Sequence, residues 1–597
     1  MGDKERLKSV KSTLYLTRHV PPERGMKMAS EMIKDFYNGR YFEIPKYQRG
    51  YAWEKQNVRE LFEDIRESID SKSSHYIGTI VLSRNPIMDD TFYIVDGQQR
   101  ITTITMIINE LILHLKKKEA DFYDLFYIKN ERFRLKPLGK DHIFFNKLLK
   151  RRASTPENKS QRLLYEAYEE IKRIISEIHD KRTFMRSVEK LEVMEFIENT
   201  EGDAIRIFQT VNDRGKLLSN MEKAKSLLIY FSNRYLSKSL DDYINDMLGD
   251  IFEIYDDIKH IGETMEITLI KNVEFTEDNV MRYHFVSHFN DNYDATATYV
   301  FKYLKDKLST YRDAINKGER SKIEDMKTFI SEYIDALRNF FNSLRELLNK
   351  TKNDPKYYKL FCVLGVSATL YPLMVKLNTL NLLGKPIKYA KYKNISIIDL
   401  IEMIDVRIYK TRGTDPRAEI SRLAYEINKD WSLEQIKDRL ISYNQRWMGK
   451  EEFVAYLNRD IYGNRALPHI FIEYCEKISG TKFNVSKLSE FVSKSPTIEH
   501  IASQTPSYSF EALGFADEKE FLEYQHKFGN LTVIEKQLNS AVQNRIPPEK
   551  IPYYDRSLFA VTRKVSSDIA VKKKFLKADI DDRTKVLVDY CQGRWWC

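Results

Sequence analysis

The sequence predicts a multidomain α+β protein with a mixed N-terminal domain, a mainly helical middle and a compact C-terminal domain. Its 597 residues exceed what one hydrophobic core usually organises. The pattern of apolar, glycine and turn residues also changes twice along the chain, near residues 235 and 485. We therefore place domains at residues 1–235, 236–485 and 486–597.

The N-terminal domain alternates helical and strand patterns. Two short apolar runs, Tyr76–Leu82 and Phe92–Val95, read as strands joined by a turn-rich stretch. Apolar residues at helical spacing precede and follow these strands, which predicts an amphipathic helix on each side. The first set is Val58, Leu61, Phe62, Ile65 and Ile69, and the second is Ile101, Ile104, Ile107, Ile108, Leu111 and Leu115.

Composition favours a polyanionic partner and a reducing compartment. The net charge is +10, although 87 acidic residues offset 97 basic ones, so the preference for nucleic acid is mild. Four scattered cysteines without a CxxC pair support neither a disulfide framework nor a thiolate zinc site, which fits the cytoplasm. The longest uncharged run, between Lys359 and Lys376, is too short and polar to cross a membrane. We expect a buried core helix there and no membrane association.

The most informative N-terminal stretch is Asp96-Gly97-Gln98-Gln99-Arg100, between a predicted strand and a predicted helix. Free backbone N–H groups at a helix start, next to a glycine, form a cradle for phosphate. Arg100 can grip phosphate oxygens, Asp96 can hold a divalent cation or polarise a water, and both glutamines can orient a ligand. The plainer alternative is equally open: Asp96 and Thr102 cap the helix, and Arg100 pairs with a surface carboxylate.

Two further segments carry polar residues in tight loops. Tyr47, Gln48 and Arg49 stand in an aromatic loop that can stack on a base or contact a phosphate. Within the same loop, Tyr51 and Trp53 fit the hydrophobic core better. Asn212 and Arg214 lie in a turn between apolar runs, and taken alone this segment is a plain turn.

The three segments together resemble the N-terminal domain of the GmrSD family, over roughly residues 25–235. Members of this family are type IV, modification-dependent restriction enzymes related to the BrxU and SspE proteins. The resemblance implies a ParB-like nucleotide-binding fold. It also implies that Asp96, Gln98, Gln99 and Arg100 are nucleotide-site residues, as we expect for Gly97, Asn212 and Arg214. Tyr47, Gln48 and Arg49 match a segment that some relatives use near the modified-DNA pocket.

The C-terminal domain contains Glu499-His500, then Asn530 thirty residues later, then Asn539. A ββα-metal nuclease requires such a set. His500 would deprotonate the attacking water, and Glu499 and Asn539 would hold Mg²⁺ or another divalent cation. Asn530 would tether the loop and orient His500. Neighbouring strand residues point to opposite sides, so a bend or twist must bring Glu499 and His500 into one cleft.

This set resembles the HNH-type nuclease domain of GmrSD enzymes, over roughly residues 488–560. Family members often carry proline where Ser503 stands, and the gap between His500 and Asn530 is long for a minimal HNH unit. The absence of a nearby cysteine argues against a structural zinc. We interpret His526, close in sequence to Asn530, as structural.

We therefore expect a cytoplasmic HNH-type endonuclease that cleaves or nicks foreign, modified DNA, such as phage DNA. GTP, ATP or another NTP would be bound and hydrolysed by the N-terminal domain and would regulate cutting. A homodimer would bring two nuclease domains to both strands, although no residue requires one. Two alternatives stay open: an NTP-switched DNA-binding regulator with an inactive nuclease domain, and a toxin-like ribonuclease.

Overall fold

The computed structural model describes residues 27–595 with several gaps. The residues it leaves out within that span are 46–47, 49, 71–75, 116–125, 127, 130–131, 138, 153–154, 199–218, 290–291, 390–391 and 507. The chain divides into two compact units, Met1–Val211 and Asn212–Cys597. Each unit is described by itself.

The first unit combines a six-stranded sheet with a group of helices. Its strands are β1 (Lys27–Met32), β2 (Tyr41–Glu43), β3 (Tyr76–Arg84), β4 (Thr91–Asp96), β5 (Ile128–Lys129), β6 (Arg132–Phe133), β7 (Leu135–Lys136) and β8 (Glu192–Glu198). Its helices are α1 (Ile33–Tyr37), α2 (Lys55–Asp70), α3 (Gln98–His114), α4 (Gly139–Leu149), α5 (Lys159–Glu177) and α6 (Lys181–Glu189). The helices predicted before and after the two central strands are thus present as α2 and α3.

The sheet is mixed, with strand order β1-β8-β3-β4-β2-β7. The predicted strands β3 and β4 pair antiparallel, whereas β3 pairs parallel with β8 and β4 pairs parallel with β2. Helix α3 starts directly after β4 and is buried along most of its length, packing against α5 and α6. The junction between β4 and α3 is therefore supported by a buried helix that packs against α5 and α6.

The second unit is mainly helical, as predicted for the middle of the chain. Its helices as far as residue 479 are α7 (Asn220–Tyr235), α8 (Asp241–Thr264), α9 (Thr268–Lys271), α10 (Glu277–His288), α11 (Ala297–Asn316), α12 (Ser321–Asn349), α13 (Pro355–Tyr358), α14 (Tyr371–Thr379), α15 (Ile397–Ile404), α16 (Arg417–Glu426), α17 (Leu433–Trp447), α18 (Lys450–Leu457) and α19 (Leu467–Ser479). Strands β9 (Pro386–Tyr389) and β10 (Tyr392–Ser396) form a hairpin among them.

The last part of this unit carries a two-stranded sheet surrounded by helices. Strands β11 (Pro496–His500) and β12 (Leu531–Glu535) pair antiparallel. The helices are α20 (Val485–Ser493), α21 (Glu518–Tyr524), α22 (Lys536–Val542), α23 (Pro547–Tyr554), α24 (Ala560–Lys572) and α25 (Lys577–Trp595). Asn530 directly precedes β12 and Asn539 lies in α22, the strand-then-helix order that their spacing predicts.

The uncharged run near residue 365 is buried but is not one helix. A π-helical segment, Lys359–Leu364, ends at Gly365, whose φ of 61° lies in the left-handed region. A short 3-10 turn and then α14 follow. Of the described helices, none has the length and apolar character needed to span a membrane. The thiols of Cys362, Cys475 and Cys591 are unpaired.

Candidate functional site

In the first unit, the loop at Gln48 is held against the start of α3 by glutamine side chains. Gln48 donates from Nε2 to the carbonyl of Val95 at 2.9 Å, and Gln98 donates to Gln48 Oε1 at 3.2 Å. Gln99 accepts from the backbone N–H of Ala52 at 2.9 Å and donates to the carbonyl of Gly50 at 3.2 Å. Both Gln98 and Gln99 are buried. They bind the loop, rather than projecting outward from the helix start.

Two aromatic residues of the same loop pack inward, as predicted. Tyr51 is buried and its hydroxyl lies 2.7 Å from Thr103 Oγ1, while Trp53 packs against the core of the first unit. Tyr51 is therefore anchored to α3.

Arg100 lies beside Asp96 at the junction of β4 and α3. Its guanidinium donates to the carbonyl of Ile77 at 3.0 Å and approaches Asp96 Oδ2 at 3.8 Å. Gly78, with φ of 109°, makes room for it, because a Cβ there would lie 1.9 Å from Arg100 Nη1. Gly97 caps α3 with φ of 89°, and a Cβ there would meet Ile80 Cδ1 at 2.2 Å. The positive φ angles favour glycine at both positions, where an added Cβ would also meet the ends of the Arg100 and Ile80 side chains.

Four predicted site residues lie outside the described residues: Tyr47, Arg49, Asn212 and Arg214. Their predicted roles stay predictions.

In the second unit, the side chains of Glu499 and His500 in β11 contact different partners. The pairing of β11 with β12 runs in unbroken register from Pro496 to His500, so the bend expected between the two residues is absent from the strand. Thr497 and Glu499 share one face of the strand, and Ile498 and His500 share the other.

His500 lies in a cluster of rings and one amide at the end of β11. Its Nε2 is 2.9 Å from Nδ1 of His526, and Gln504 Nε2 lies 2.9 Å from its Nδ1. The Tyr462 ring stacks on His526 at a centroid distance of 5.1 Å and approaches His500 at 4.5 Å. Burial, followed by the charges of His526 and Lys550, lowers the pKa of His500 to about 3. The imidazole is therefore neutral at pH 7.

Glu499 is engaged by helix α23. Its Oε1 accepts from Lys550 Nζ at 2.7 Å and from the Tyr554 hydroxyl at 3.0 Å. Lys550 also donates to the carbonyl of His500 at 2.7 Å. Burial lowers the pKa of Lys550, although the charge of Glu499 opposes that shift. Lys550 thus ties the carboxylate to the end of the strand.

Asn530 has the tethering contacts that its predicted role requires. Its amide oxygen accepts from the Ala502 N–H at 2.8 Å, and its Nδ2 donates to the carbonyls of Ala502 and Gln525. Gly529 beside it lies against α25, where a Cβ would be 1.9 Å from the Ile580 carbonyl. The Gly-Asn pair thereby fixes the loop that follows His500.

Glu499 and Asn539 offer oxygen donors of the kind that a hard cation binds, although the Lys550 ammonium already balances the Glu499 carboxylate. Asn539 donates from Nδ2 to Thr497 Oγ1 at 2.8 Å, which places it on the same strand face as Glu499. Within the described part of the chain, no hydrogen-bond donor reaches Glu499 Oε2 or Asn539 Oδ1. One carboxylate and one amide oxygen, completed by water, are a donor set that Mg²⁺ accepts.

A second group of buried ligand types lies elsewhere in this unit. Glu402, His469 and Glu473 bring potential ligand atoms within 4.8 Å of one another, the one such group of three among the described residues. His469 contacts Glu402 at 2.8 Å, while Arg594 contacts both carboxylates. Lys359 also pairs with Glu473. Because cations of the chain already balance these carboxylates, we assign the group a structural role.

Two sequence-family models match the chain. Residues 30–229 match the GmrSD restriction endonuclease N-terminal domain, and residues 450–590 match the GmrSD restriction endonuclease C-terminal domain. The chain belongs to the GmrSD family of type IV restriction enzymes. This GmrSD-family enzyme is therefore an endonuclease with a DNA substrate. A search of curated proteins found no match.

The C-terminal family match begins well before the boundary at residue 486 that the sequence suggested. It includes Tyr462, whose ring joins the cluster at His500, and the neighbouring Ile461 N–H donates to the carbonyl of His526. Sequence reasoning missed Tyr462 and Gln504, and assigned His526 a structural role. No spacing rule links these residues to His500, because their meeting depends on the tertiary fold.

Proposed function

We propose that this chain hydrolyses phosphodiester bonds of modified foreign DNA at an HNH-type centre built on β11, β12 and α22. The observation that carries the proposal is the His500 imidazole, held at a strand end between Gln504 and His526. An adjacent carboxylate, Glu499, lies on the other face of the strand. The base and the candidate metal ligand therefore belong to one small sheet but point to opposite faces of β11.

His500 serves as the general base. Gln504 Nε2 lies 2.9 Å from Nδ1 and 3.3 Å from Nε2 of His500, while His526 Nδ1 lies 2.9 Å from Nε2. In this scheme the ring proton of neutral His500 lies on Nε2 and is donated to His526 Nδ1. Nδ1 thus holds the lone pair that takes a proton from water once substrate displaces Gln504. The water oxygen then bonds to phosphorus, and the bond from phosphorus to the leaving sugar oxygen breaks.

His526 is a positioning residue in this scheme. It fixes the tautomer of His500, as the acceptor behind a catalytic imidazole does. Tyr462 holds the His526 ring by stacking.

Glu499 and Asn539 would hold a divalent cation, with Mg²⁺ the best match to their oxygen donors. When bound, the cation would offset the negative charge that develops on the leaving oxygen. Asn530 keeps the loop after His500 in place.

The first unit serves as the nucleotide-responsive, modification-sensing part. The start of α3 offers backbone N–H groups beside Gly97, and Arg100 and Asp96 flank them. Gln48 lies against the same junction and would couple a modified-DNA contact in its loop to the nucleotide. A ParB-like fold, GTP or ATP as ligand, phage DNA as target, a cytoplasmic location and a homodimer remain parts of this hypothesis.

One assay tests the whole proposal. Purified protein is incubated with plasmids that carry glycosylated, hydroxymethylated or phosphorothioate DNA, or none of these. Mg²⁺ or EDTA is added, with or without GTP or ATP. We expect cutting of one modified plasmid that is lost in His500→Ala by about 10²-fold or more. Arg100→Ala should remove the effect of nucleotide.

The matched control is His260→Ala, because His260 is an exposed histidine of α8. It should cut like the wild type. Intact DNA together with degraded RNA would favour the ribonuclease. Intact DNA together with nucleotide-dependent DNA binding would favour the regulator.

A further inference from the structure

Two arginines flank one tyrosine on the surface next to the proposed nuclease centre. The guanidinium carbons of Arg545 and Arg556 lie 5.4 and 5.5 Å from the ring centroid of Tyr553. Both arginines are exposed and Tyr553 is partly buried. We call these three residues the Arg–Tyr–Arg group.

The backbone beneath this group is held in place. Arg545 accepts a hydrogen bond from Ser503 Oγ through its carbonyl at 3.2 Å, and Arg556 donates to the carbonyl of Pro552 at 3.2 Å. Just upstream, Gln543 adopts φ 50° and ψ −148°, a combination normally left to glycine. This turn redirects the chain between α22, which carries Asn539, and α23.

The group is also close to the proposed catalytic residues. Ser503 follows His500 by three positions, and Lys550 and Tyr554 of α23 contact Glu499. These two residues are one helical turn apart on α23, and Tyr553 lies on the neighbouring side of the same helix. A ligand on the Arg–Tyr–Arg group would therefore lie beside the centre.

The two guanidinium charges are not neutralised by the chain. No carboxylate in the part that the structure describes lies within ion-pairing distance of Arg545 or Arg556. Lys550 in the same helix differs, because it is buried and paired with Glu499. Exposed, stacked and unpaired guanidinium groups suit phosphate oxygens, which they bind through two parallel hydrogen bonds.

We propose that the Arg–Tyr–Arg group binds the sugar–phosphate backbone of duplex DNA next to the phosphate that is cut. The proposal rests on the proposed function, since it assumes that DNA reaches His500. The Tyr553 ring holds both guanidinium groups in place before DNA arrives, which lowers the entropy lost on binding. The contact would not read sequence, because phosphate contacts position a protein without discriminating bases.

The test measures DNA binding in a His500→Ala background, so that cleavage cannot interfere. Fluorescence anisotropy of a labelled duplex at several salt concentrations gives the slope of log K against log salt. Arg545→Ala/Arg556→Ala should weaken binding equally for unrelated sequences and reduce the slope by about 2, close to 0.9 per lost phosphate contact. Tyr553→Leu should weaken DNA binding but should change the slope of log K against log salt only slightly.

Arg320→Ala is the matched control, because Arg320 is exposed and precedes α12. Its slope should equal that of the parent. An unchanged slope in the double variant, tighter binding of single-stranded RNA than of duplex, or no duplex binding at all would overturn the proposal. If the proposed function is wrong, the otherwise wild-type protein will show no His500-dependent cutting. The slope of log K against log salt can still be measured in that case.

Discussion

At the scale of single side chains, the two ring nitrogens of His500 have unlike partners. The Gln504 amide lies 2.9 Å from Nδ1 and 3.3 Å from Nε2, whereas the His526 ring is within hydrogen-bond distance of Nε2. The acceptor behind a catalytic imidazole decides which nitrogen is available as a base, so the reactivity of His500 should depend on His526.

We predict that His526→Phe lowers kcat by about 10²-fold with little change in KM, because phenylalanine keeps the stack on Tyr462 but removes the acceptor. His526→Asn should recover most of kcat, since an amide oxygen can replace the ring acceptor. The measurement is steady-state cleavage of a labelled duplex. Equal losses in the two variants would mean that His526 only fills space.

The sequence identified Glu499, His500, Asn530 and Asn539 because they lie in short motifs of recognisable order. Their described contacts agree with a tethering role for Asn530, while the catalytic and metal-binding roles remain predictions. His526 could not be assigned to the site, because it meets His500 across 26 positions of chain. Contacts at that separation depend on how the intervening loop folds, and a single sequence does not encode them in any spacing.

At the scale of secondary-structure elements, the junction of β3, β4 and α3 was predicted well. Apolar residues recur every 2 residues in a strand and every 3.6 residues in a helix that buries one face. Because these patterns are local, such strands and helices can be recognised from the sequence. The run near residue 365 was not predicted well. Its break depends on the left-handed backbone at Gly365, which does not change the hydrophobic pattern.

We predict that Gly78→Ala destabilises the first unit by about 1–3 kcal/mol, because the methyl group would meet Arg100 in a backbone conformation that disfavours alanine. Thermal unfolding followed by circular dichroism measures the effect. Gly39→Ala is the control, since its φ is also positive but nothing lies within 4 Å of the added Cβ. A larger effect at Gly39 than at Gly78 would contradict the steric explanation.

At the scale of the whole second unit, its C-terminal helix is joined to helices of its middle by buried charges. Arg594 contacts Glu402 of α15 and Glu473 of α19, and the Trp595 indole donates to Glu402 at 2.9 Å. Burial acts to raise the pKa of Glu473, but the charges of Arg594 and Lys359 outweigh it and lower the pKa to about 2. The network could not be predicted, because its members are scattered over almost two hundred residues.

We predict that Arg594→Ala destabilises this unit by about 3–5 kcal/mol at pH 7, since it leaves buried carboxylates without their cation. Because the folded pKa of Glu473 is depressed, its contribution is complete above the ordinary value of 4.5 and is lost as pH falls towards 2. Arg594→Ala should therefore lose less stability on acidification than the wild type. Urea unfolding followed by tryptophan fluorescence, from about pH 7 to about pH 3, measures both effects.

Lys482→Ala is the matched control for that experiment. Lys482 contacts Glu476 of the same cluster, but its side chain is 79% exposed, so its loss should cost about 1 kcal/mol or less. A cost for Arg594→Ala no greater than this would show that the buried network contributes little.

The stacking of Tyr462 on His526 has a practical consequence for the design of a fragment that contains the nuclease domain alone. A fragment cut at residue 486 would keep Glu499, His500, Asn530 and Asn539, yet it would discard the ring that braces His526 and the backbone link from Ile461. A fragment that contains the motif alone would therefore keep the reactive side chains but lose contacts that hold them in place. A usable excision has to begin upstream of Ile461.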